Sequence, residues 1–98
     1  MALLYLLHPA AQKEYETSVS WYSERSLKAA TMFVKGVDKA ISDICNNPRH
    51  YRNDYKHYYE RKVYKYPFTI VYTIEENLQL IIVIAVYHQK RNPDNKYR

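Results

Sequence analysis

One apolar run near the C-terminus constrains the fold more than any other stretch of the chain. Residues 78–91 read LQLIIVIAVYHQKR, and isoleucine and valine dominate the run. β-branched side chains fit a pleated sheet better than a helix, and the run is shorter than the about 20 apolar residues that span a bilayer. We therefore predict an interior strand that is buried on both faces.

The two faces of this predicted strand differ in side-chain size. Strict alternation gives one bulky face that suits a layer of helices, formed by Leu80, Ile82, Ile84 and Val86. The other face shrinks toward the end of the strand, where it consists of Ile81, Val83, Ala85 and Tyr87. We expect this second face to form the base of a shallow cleft, with Tyr87 at the opening of that cleft. The same parity places His88 with the core-facing side chains.

Two amphipathic helices are predicted before this strand. The first begins at Pro9, where a missing N–H costs nothing, and the second follows a break at residues 23–26 and ends at residues 46–48. Their apolar stripes at helical spacing are Ala11, Tyr15, Val19 and Tyr22, extended by Trp21, and then Leu27, Ala30, Phe33, Val37, Ile41 and Ile44. Gly36 inside the second helix indicates close packing in preference to a hinge.

Three more strands are predicted, at residues 3–7, 58–66 and 68–74. Residues 49–57, which read RHYRNDYKH, have no clear period, and we interpret them as a loop against the sheet. The turn into the last strand has no glycine, so we expect Asn77 to take the left-handed conformation there.

These elements give a single α+β domain over residues 1–98 with the order β-α-α-β-β-β. The predicted architecture is a two-layer sandwich, in which a helix hairpin packs on one face of an antiparallel sheet. The strand order is first, fourth, third, second, because the apolar last strand must be interior. Counting the reversals of chain direction makes the first strand antiparallel to the last.

The net charge of +5 lies entirely in the second half of the chain. Residues 1–48 hold five Lys or Arg and five Asp or Glu, whereas residues 49–98 hold ten against five, together with nine of the twelve tyrosines. Basic residues interleaved with aromatic rings suit a polyanion such as a nucleic acid. The alternatives are a solvated basic surface and a surface for an acidic protein.

The composition also restricts the cofactor and the cell compartment. Cys45 is the only cysteine, which excludes an internal disulfide and a cysteine zinc cluster. The first nine residues lack the basic start of a signal peptide, and no segment reads as a membrane span. We expect a cytoplasmic protein that uses no metal and no other cofactor.

Three groups of residues resemble the RelE/ParE toxin superfamily over nearly the whole chain. Those of the helix hairpin are Trp21-Tyr22, Phe33, Val37, Ala40-Ile41, Ile44 and Pro48. Those of the middle strands are Arg61, Tyr66-Pro67-Phe68, Ile70 and Tyr72, and those of the C-terminal signature are Ala85-Val86, His88, Arg91 and Pro93. Members often carry a tryptophan three residues after that proline, where this chain has Lys96.

The resemblance implies a small basic toxin of a bacterial type II toxin–antitoxin module, of the plasmid-stabilisation type. Such a toxin is neutralised by an antitoxin encoded beside it, which we expect to be acidic and to dock on the edge of the strand at residues 58–66 or on the helix hairpin. RelE-like members cleave messenger RNA on the ribosome, and ParE-like members poison DNA gyrase. A shared fold does not decide between these activities.

A RelE-like nuclease without metal needs a base, a cation for the phosphorane and an acid, because the 2′-hydroxyl attacks the neighbouring phosphate. Arg61 and Arg91 are the candidates for holding the phosphate, and Tyr87 or His88 for moving the proton. The candidates for binding the nucleic-acid backbone or another target are Lys56, His57, Lys62 and Lys90. All three of Arg61, Tyr87 and His88 are alternatively structural, with Arg61 in an ion pair, Tyr87 capping the core and His88 satisfied within the fold.

A ParE-like inhibitor of DNA gyrase requires no chemistry, and its arginines and tyrosines would form a recognition surface. The spacing of His88, Arg91 and Pro93 resembles this branch more closely. The third predicted strand supports it too, because it offers only threonine and valine where RelE-like proteins concentrate lysine and arginine. A sheet-based RNA-binding module is a minor alternative, since the glycine-aromatic signature of an RRM is absent.

Overall fold

The computed structural model describes residues 3–90, which form two helices and five strands. In chain order these are β1 (Leu4–Leu7), α1 (Pro9–Ser23), α2 (Leu27–Asn46), β2 (Arg52–Tyr55), β3 (Tyr58–Lys62), β4 (Phe68–Glu75) and β5 (Leu80–His88). The two helices cover one face of the sheet, so the predicted α+β two-layer arrangement is present.

The helices begin and pack as their sequences predict. Pro9 stands in the first turn of α1, and the Ser26 side chain caps α2 by accepting the Ala29 N–H at 3.2 Å. The predicted stripes face the sheet except at two exposed positions, since Leu27 is 78% and Trp21 is 43% exposed. Leu27 is the first residue of α2.

Gly36 of α2 lies against Val63 and Tyr66, which follow the end of β3. A Cβ at this position would stand 3.4 Å from the Tyr66 ring and from the Val63 side chain. The prediction of close packing is confirmed.

The sheet order is β1-β5-β4-β3-β2, and two details of the predicted topology are wrong. Residues 52–55 of the predicted loop form an edge strand antiparallel to β3, and β1 pairs with β5 in parallel. The two errors have one cause, because the additional strand reverses the chain once more before β5. The sheet is therefore mixed, although β5 is interior as predicted.

The faces of β5 exchange partway along the strand. Tyr72 of β4 pairs with Val83, but Val71 pairs with Ala85, so Ile84 is an extra residue in a bulge. Odd-numbered side chains therefore face the helices before the bulge, and even-numbered side chains face them after it. The helix-facing core contains Ile81, Val83 and Val86, and the opposite face contains Ile82, Ile84, Ala85 and Tyr87. The predicted faces are therefore wrong for Ile82 and Ile84, which point away from the helices, and for Ile81 and Val83, which point toward them.

Beyond Val83, β1 no longer pairs with the backbone of β5. A side chain of α1 provides a hydrogen bond to β5 there instead. Glu14 of α1 accepts the Val86 N–H through Oε1 at 3.0 Å. The turn between β4 and β5 also differs from expectation, because Gln79 and not Asn77 has a positive φ, of 50°. Gln79 holds this turn by donating its N–H and its side-chain amide to the Glu76 carbonyl.

Candidate functional site

Arg61 lies on the helix-facing side of β3 and belongs to a structural network. Its Nη2 donates to Asp43 Oδ2 of α2 at 2.8 Å, and its Nη1 donates to the Lys62 carbonyl. The guanidinium carbon stands 5.3 Å from the centre of the Tyr51 ring. Nε is buried and has no hydrogen-bond partner within residues 3–90. The side chain is 19% exposed, so little of it is presented to a target.

The charges of this network stabilise one another. Burial works against the charge of Arg61, but hydrogen bonds to Asp43 and Tyr51 outweigh it and raise the pKa of the guanidinium. Hydrogen bonds from Lys39 and Arg61 lower the pKa of the Asp43 carboxyl. Both groups are therefore charged at neutral pH, and each is the other's partner.

Tyr87 lies on the opposite side of the sheet from Arg61. It is 9% exposed and packs in a small cluster with Val71, Ile84 and Ala85. The prediction that it points away from the helices is confirmed. The expected place at a cleft mouth is wrong, because the ring is buried within this cluster.

His88 faces the helices, as its parity predicted. Its ring packs edge-on against Phe68, with centroids 4.9 Å apart, and its Nδ1 accepts the Lys90 N–H at 3.1 Å. An Nδ1 that accepts is unprotonated, so a neutral ring carries its proton on Nε2. His88 also borders a cleft of about 330 Å³, formed with Ser18, Trp21, Tyr22, Pro67 and Phe68.

Lys56 and His57 form the turn between β2 and β3. Both are exposed, and Lys56 has a positive φ of 50°. The His57 ring stacks on Tyr58, which in turn stacks on Tyr55 with ring planes 9° apart. This turn is a small platform of aromatic rings with one lysine above it, since Lys56 Nζ lies 5.1 Å from the Tyr55 ring centre.

Lys62 and Lys90 lie at the other end of the sheet from that turn. Lys62 pairs with Thr69, which pairs with Tyr87, and Lys90 follows two residues after the end of β5. Four residue steps along β3 separate Tyr58 from Lys62, which is about 13 Å. Both lysines are exposed. The structure therefore divides the four predicted target-binding residues into two regions, and Arg91 lies outside the described residues.

Sequence reasoning missed the residues that surround Arg61 and Lys62. A cleft of about 430 Å³ at this edge of the sheet is also lined by His50, Tyr51, Arg52, Glu60 and Thr69. Two of its cations have partners on the chain, because Arg52 is bonded to Asp54 and Arg61 to Asp43. The signal that pointed to this region was the concentration of tyrosine and basic residues after residue 48.

The candidate groups for nuclease chemistry do not meet within residues 3–90. Proton transfer needs the acid or base within about 3 Å of the reacting atom, or one water away. Arg61 and Tyr87 lie on opposite faces of the sheet, and His88 sits beside α1. The exposed side chains at the two ends of the sheet, Lys56 with His57 and Lys62 with Lys90, offer basic surfaces for binding instead.

The fold and these surfaces are those of a small α+β protein with basic, aromatic-rich regions at two ends of its sheet. Residues 5–93 match the family model described as the ParE toxin of the type II toxin–antitoxin system parDE. This match covers most of the chain, so the chain belongs to that family within the RelE/ParE superfamily. It is the toxin of a type II module, whose partner is an antitoxin. No curated protein gives a significant match.

Neither α1 nor α2 is both long enough and apolar enough to cross a bilayer, considering the residues that the structure describes.

Proposed function

We propose that this toxin arrests growth by binding DNA gyrase and that it cleaves no RNA. The observation that carries this proposal is the ion pair between Arg61 and Asp43. A phosphate clamp in a nuclease must turn its guanidinium toward the substrate, whereas this guanidinium is turned toward α2 at 2.8 Å from Asp43.

The other candidate groups that the structure describes, Tyr87 and His88, support the same conclusion. Tyr87 is buried on the face opposite Arg61, so the two cannot act on one phosphate from their present positions. His88 uses Nδ1 to accept a backbone N–H, and the ring contacts Phe68. These are the interactions of side chains that hold the end of β5 in place.

The exposed lysines and tyrosines supply a recognition surface in this proposal. Tyr64 is 77% exposed beside Lys65, and Lys62 and Lys90 extend the basic area at the same end of the sheet. Tyrosine is enriched among the residues that contribute most to protein interfaces. Gyrase is the target of the ParE branch, and this end of the sheet is the surface that we expect to contact it.

The experiment compares the two activities with one preparation of toxin. Purified gyrase and relaxed plasmid are incubated with the chain, and supercoiling and trapped double-strand breaks are measured. The same toxin is added to ribosomes that translate a defined message, and cleavage is followed by primer extension. We expect loss of supercoiling with an intact message. Codon-specific cuts with unaffected gyrase would overturn the proposal and support a RelE-like nuclease.

Two variants make the comparison sharper. Lys62→Ala combined with Lys90→Ala is expected to weaken gyrase inhibition at least tenfold, and Lys13→Ala, an exposed lysine of α1, is the matched control. Tyr87→Phe keeps the buried ring and removes only the hydroxyl. We expect it to leave gyrase inhibition unchanged, whereas a nuclease that used this hydroxyl would lose its activity.

A further inference from the structure

The outer edge of β1 is apolar and pairs with no other described strand, although the end of α2 reaches the start of this edge, where the Leu3 N–H donates to the Cys45 carbonyl at 3.0 Å. Within residues 3–90, β1 pairs only with β5, and Leu4, Tyr5 and Leu6 are 76%, 45% and 59% exposed. The strand reads LYLL and contains no charge, no proline and no bulge. Proteins usually protect a sheet edge with one of these features, because an unprotected edge pairs with other strands.

The opposite edge of the sheet shows such protection. β2 carries Arg52 and Asp54, all four of its residues are exposed, and its pairing with β3 is irregular between Arg52 and Tyr55. The two edges of one sheet therefore differ in the property that decides whether another strand can pair with them.

The backbone of β1 has hydrogen-bonding groups directed outward. The His8 N–H donates to the Val83 carbonyl of β5 at 2.8 Å. Backbone groups of alternate residues point to the same side of a strand, so Leu4 and Leu6 also turn theirs toward β5. The N–H and C=O groups of Tyr5 and Leu7 consequently face the open edge.

The charge distribution permits two copies of this basic chain to meet at β1. Residues 1–48 carry no net charge, whereas the basic residues follow them and β2 with β3 lies at the far side of the sheet. Four strand spacings separate β1 from β2, which is about 19 Å, and the two β2 strands of a pair would be about 43 Å apart. Screening at physiological salt acts over about 8 Å, so repulsion at this distance is small.

We propose that β1 is a self-association edge, at which two copies pair antiparallel to form one ten-stranded sheet. The two-fold axis passes through Tyr5, whose outward N–H and C=O bond with those of the second copy. Leu4 of one copy then lies opposite Leu6 of the other on the face away from the helices, so four exposed leucines contact one another. An acidic segment of another protein is a poorer occupant, because the LYLL strand offers no charge to complement.

The first test is the oligomeric state of the full chain by sedimentation velocity over a range of concentrations. We expect a monomer–dimer equilibrium, and Leu6→Lys or Leu4→Lys should raise the dissociation constant at least tenfold. Tyr64→Lys, an exposed position away from β1, should not change it. A monomer at all concentrations, or a dimer that tolerates both leucine variants, would overturn the proposal.

The second test determines which residues of the two β1 strands face each other, and it does not depend on any variant that unfolds. Leu4→Cys and Leu6→Cys chains are mixed under mild oxidation, with Cys45 buried and out of reach. Because residues 4 and 6 face each other, the mixture should form a cross-linked dimer at least tenfold faster than Leu4→Cys alone. Equal rates would exclude this register. If titration shows that Leu6→Lys no longer binds the antitoxin but still binds a second copy of the toxin, the edge belongs to the antitoxin, and the self-association proposal is wrong.

Discussion

Arg61 on β3 and Asp43 on α2 are 18 residues apart in sequence and 2.8 Å apart in space. The pair joins the outer part of the sheet to the helix layer, and the guanidinium carbon lies 5.3 Å from the centre of the Tyr51 ring. Arg61, which the sequence suggests as a phosphate ligand, therefore links the sheet to the helix layer in this structure.

Breaking this pair should lower stability in a pH-dependent manner. We expect Asp43→Asn to reduce the free energy of unfolding at pH 7 by about 1 kcal/mol, because the pair is only partly buried. The lowered pKa of Asp43 means that its stabilising charge is present above the ordinary value of 3.8 and is lost as the pH falls through the folded value. Urea titrations from pH 7 to pH 3 measure this, and the difference from the unaltered chain should shrink in acid.

The matched control for this variant is Asp54→Asn. Asp54 also pairs with an arginine, Arg52, but both side chains are more than half exposed. Its removal should change the free energy of unfolding by less than about 0.5 kcal/mol. Equal losses in the two variants would contradict a special role for Asp43.

The Tyr72 hydroxyl should be bound and hard to ionise. It donates to the Pro48 carbonyl at 2.5 Å beneath the end of α2, and its ring is fully buried. Tyr72→Phe leaves that carbonyl unpaired and should cost about 1 kcal/mol of unfolding free energy, whereas the exposed Tyr64→Phe should cost nothing measurable. Chemical denaturation of both variants checks this expectation.

Alkaline titration gives an independent reading of the same hydroxyl. Burial raises the pKa of Tyr72 above its ordinary value of 10.0. A phenol with a raised pKa stabilises the fold below pH 10 and loses that contribution at higher pH, because the unfolded chain releases the proton first. Burial also raises the pKa of Tyr15. Ultraviolet titration should therefore show fewer ionised tyrosines near pH 10 in the folded chain than in the unfolded chain, and Tyr72→Phe should reduce this difference without removing it.

Glu14 should support the last strand where β1 no longer pairs with it. Its Oε1 accepts the Val86 N–H at 3.0 Å. Glu14→Ala leaves a buried strand N–H unpaired, and we expect a loss of about 1–2 kcal/mol. Glu14→Gln keeps an acceptor and should lose less than half of that. Hydrogen exchange of the Val86 amide is the direct measurement, and unchanged protection in Glu14→Ala would contradict this role.

Gly36 should accept one methyl group and no more. A Cβ there meets the Tyr66 ring and Val63 at 3.4 Å, which is ordinary contact. Gly36→Ala should stabilise the protein by up to about 1 kcal/mol through helix propensity. Gly36→Leu should destabilise it by about 1–3 kcal/mol, because the larger side chain would enter space that Tyr66 and Val63 fill. Thermal unfolding of the two variants should shift in opposite directions.

The helices and the apolar strands could be predicted because each buries a periodic stripe. Phe33, Val37 and Ile44 of α2 show the three- and four-residue spacing in sequence, and all are buried. β2 could not be predicted in this way, since its residues RNDY are all exposed and polar. Backbone pairing with β3 through a turn at Lys56 and His57 holds it, and this leaves no hydrophobic pattern.

The candidate site was harder to predict than the fold. Strand parity correctly separated Tyr87 from His88, even though the bulge at Ile84 invalidated the assignment of the earlier residues. No glycine or polar residue marks that bulge in the sequence. The partner of Arg61 was beyond reach as well, because the contact with Asp43 exists only once α2 has packed on β3.

The extra residue in β5 also determines how the protein would tolerate a change in length. Deleting Ile84 would let Ala85 follow Val83 in regular pairing with β4, and Val86, Tyr87 and His88 would all keep the sides they now occupy. Deleting Val86 or Tyr87 with the bulge retained would instead turn the histidine to the other face. A one-residue deletion at the bulge therefore leaves the orientation of His88 unchanged, whereas a one-residue deletion after the bulge reverses it.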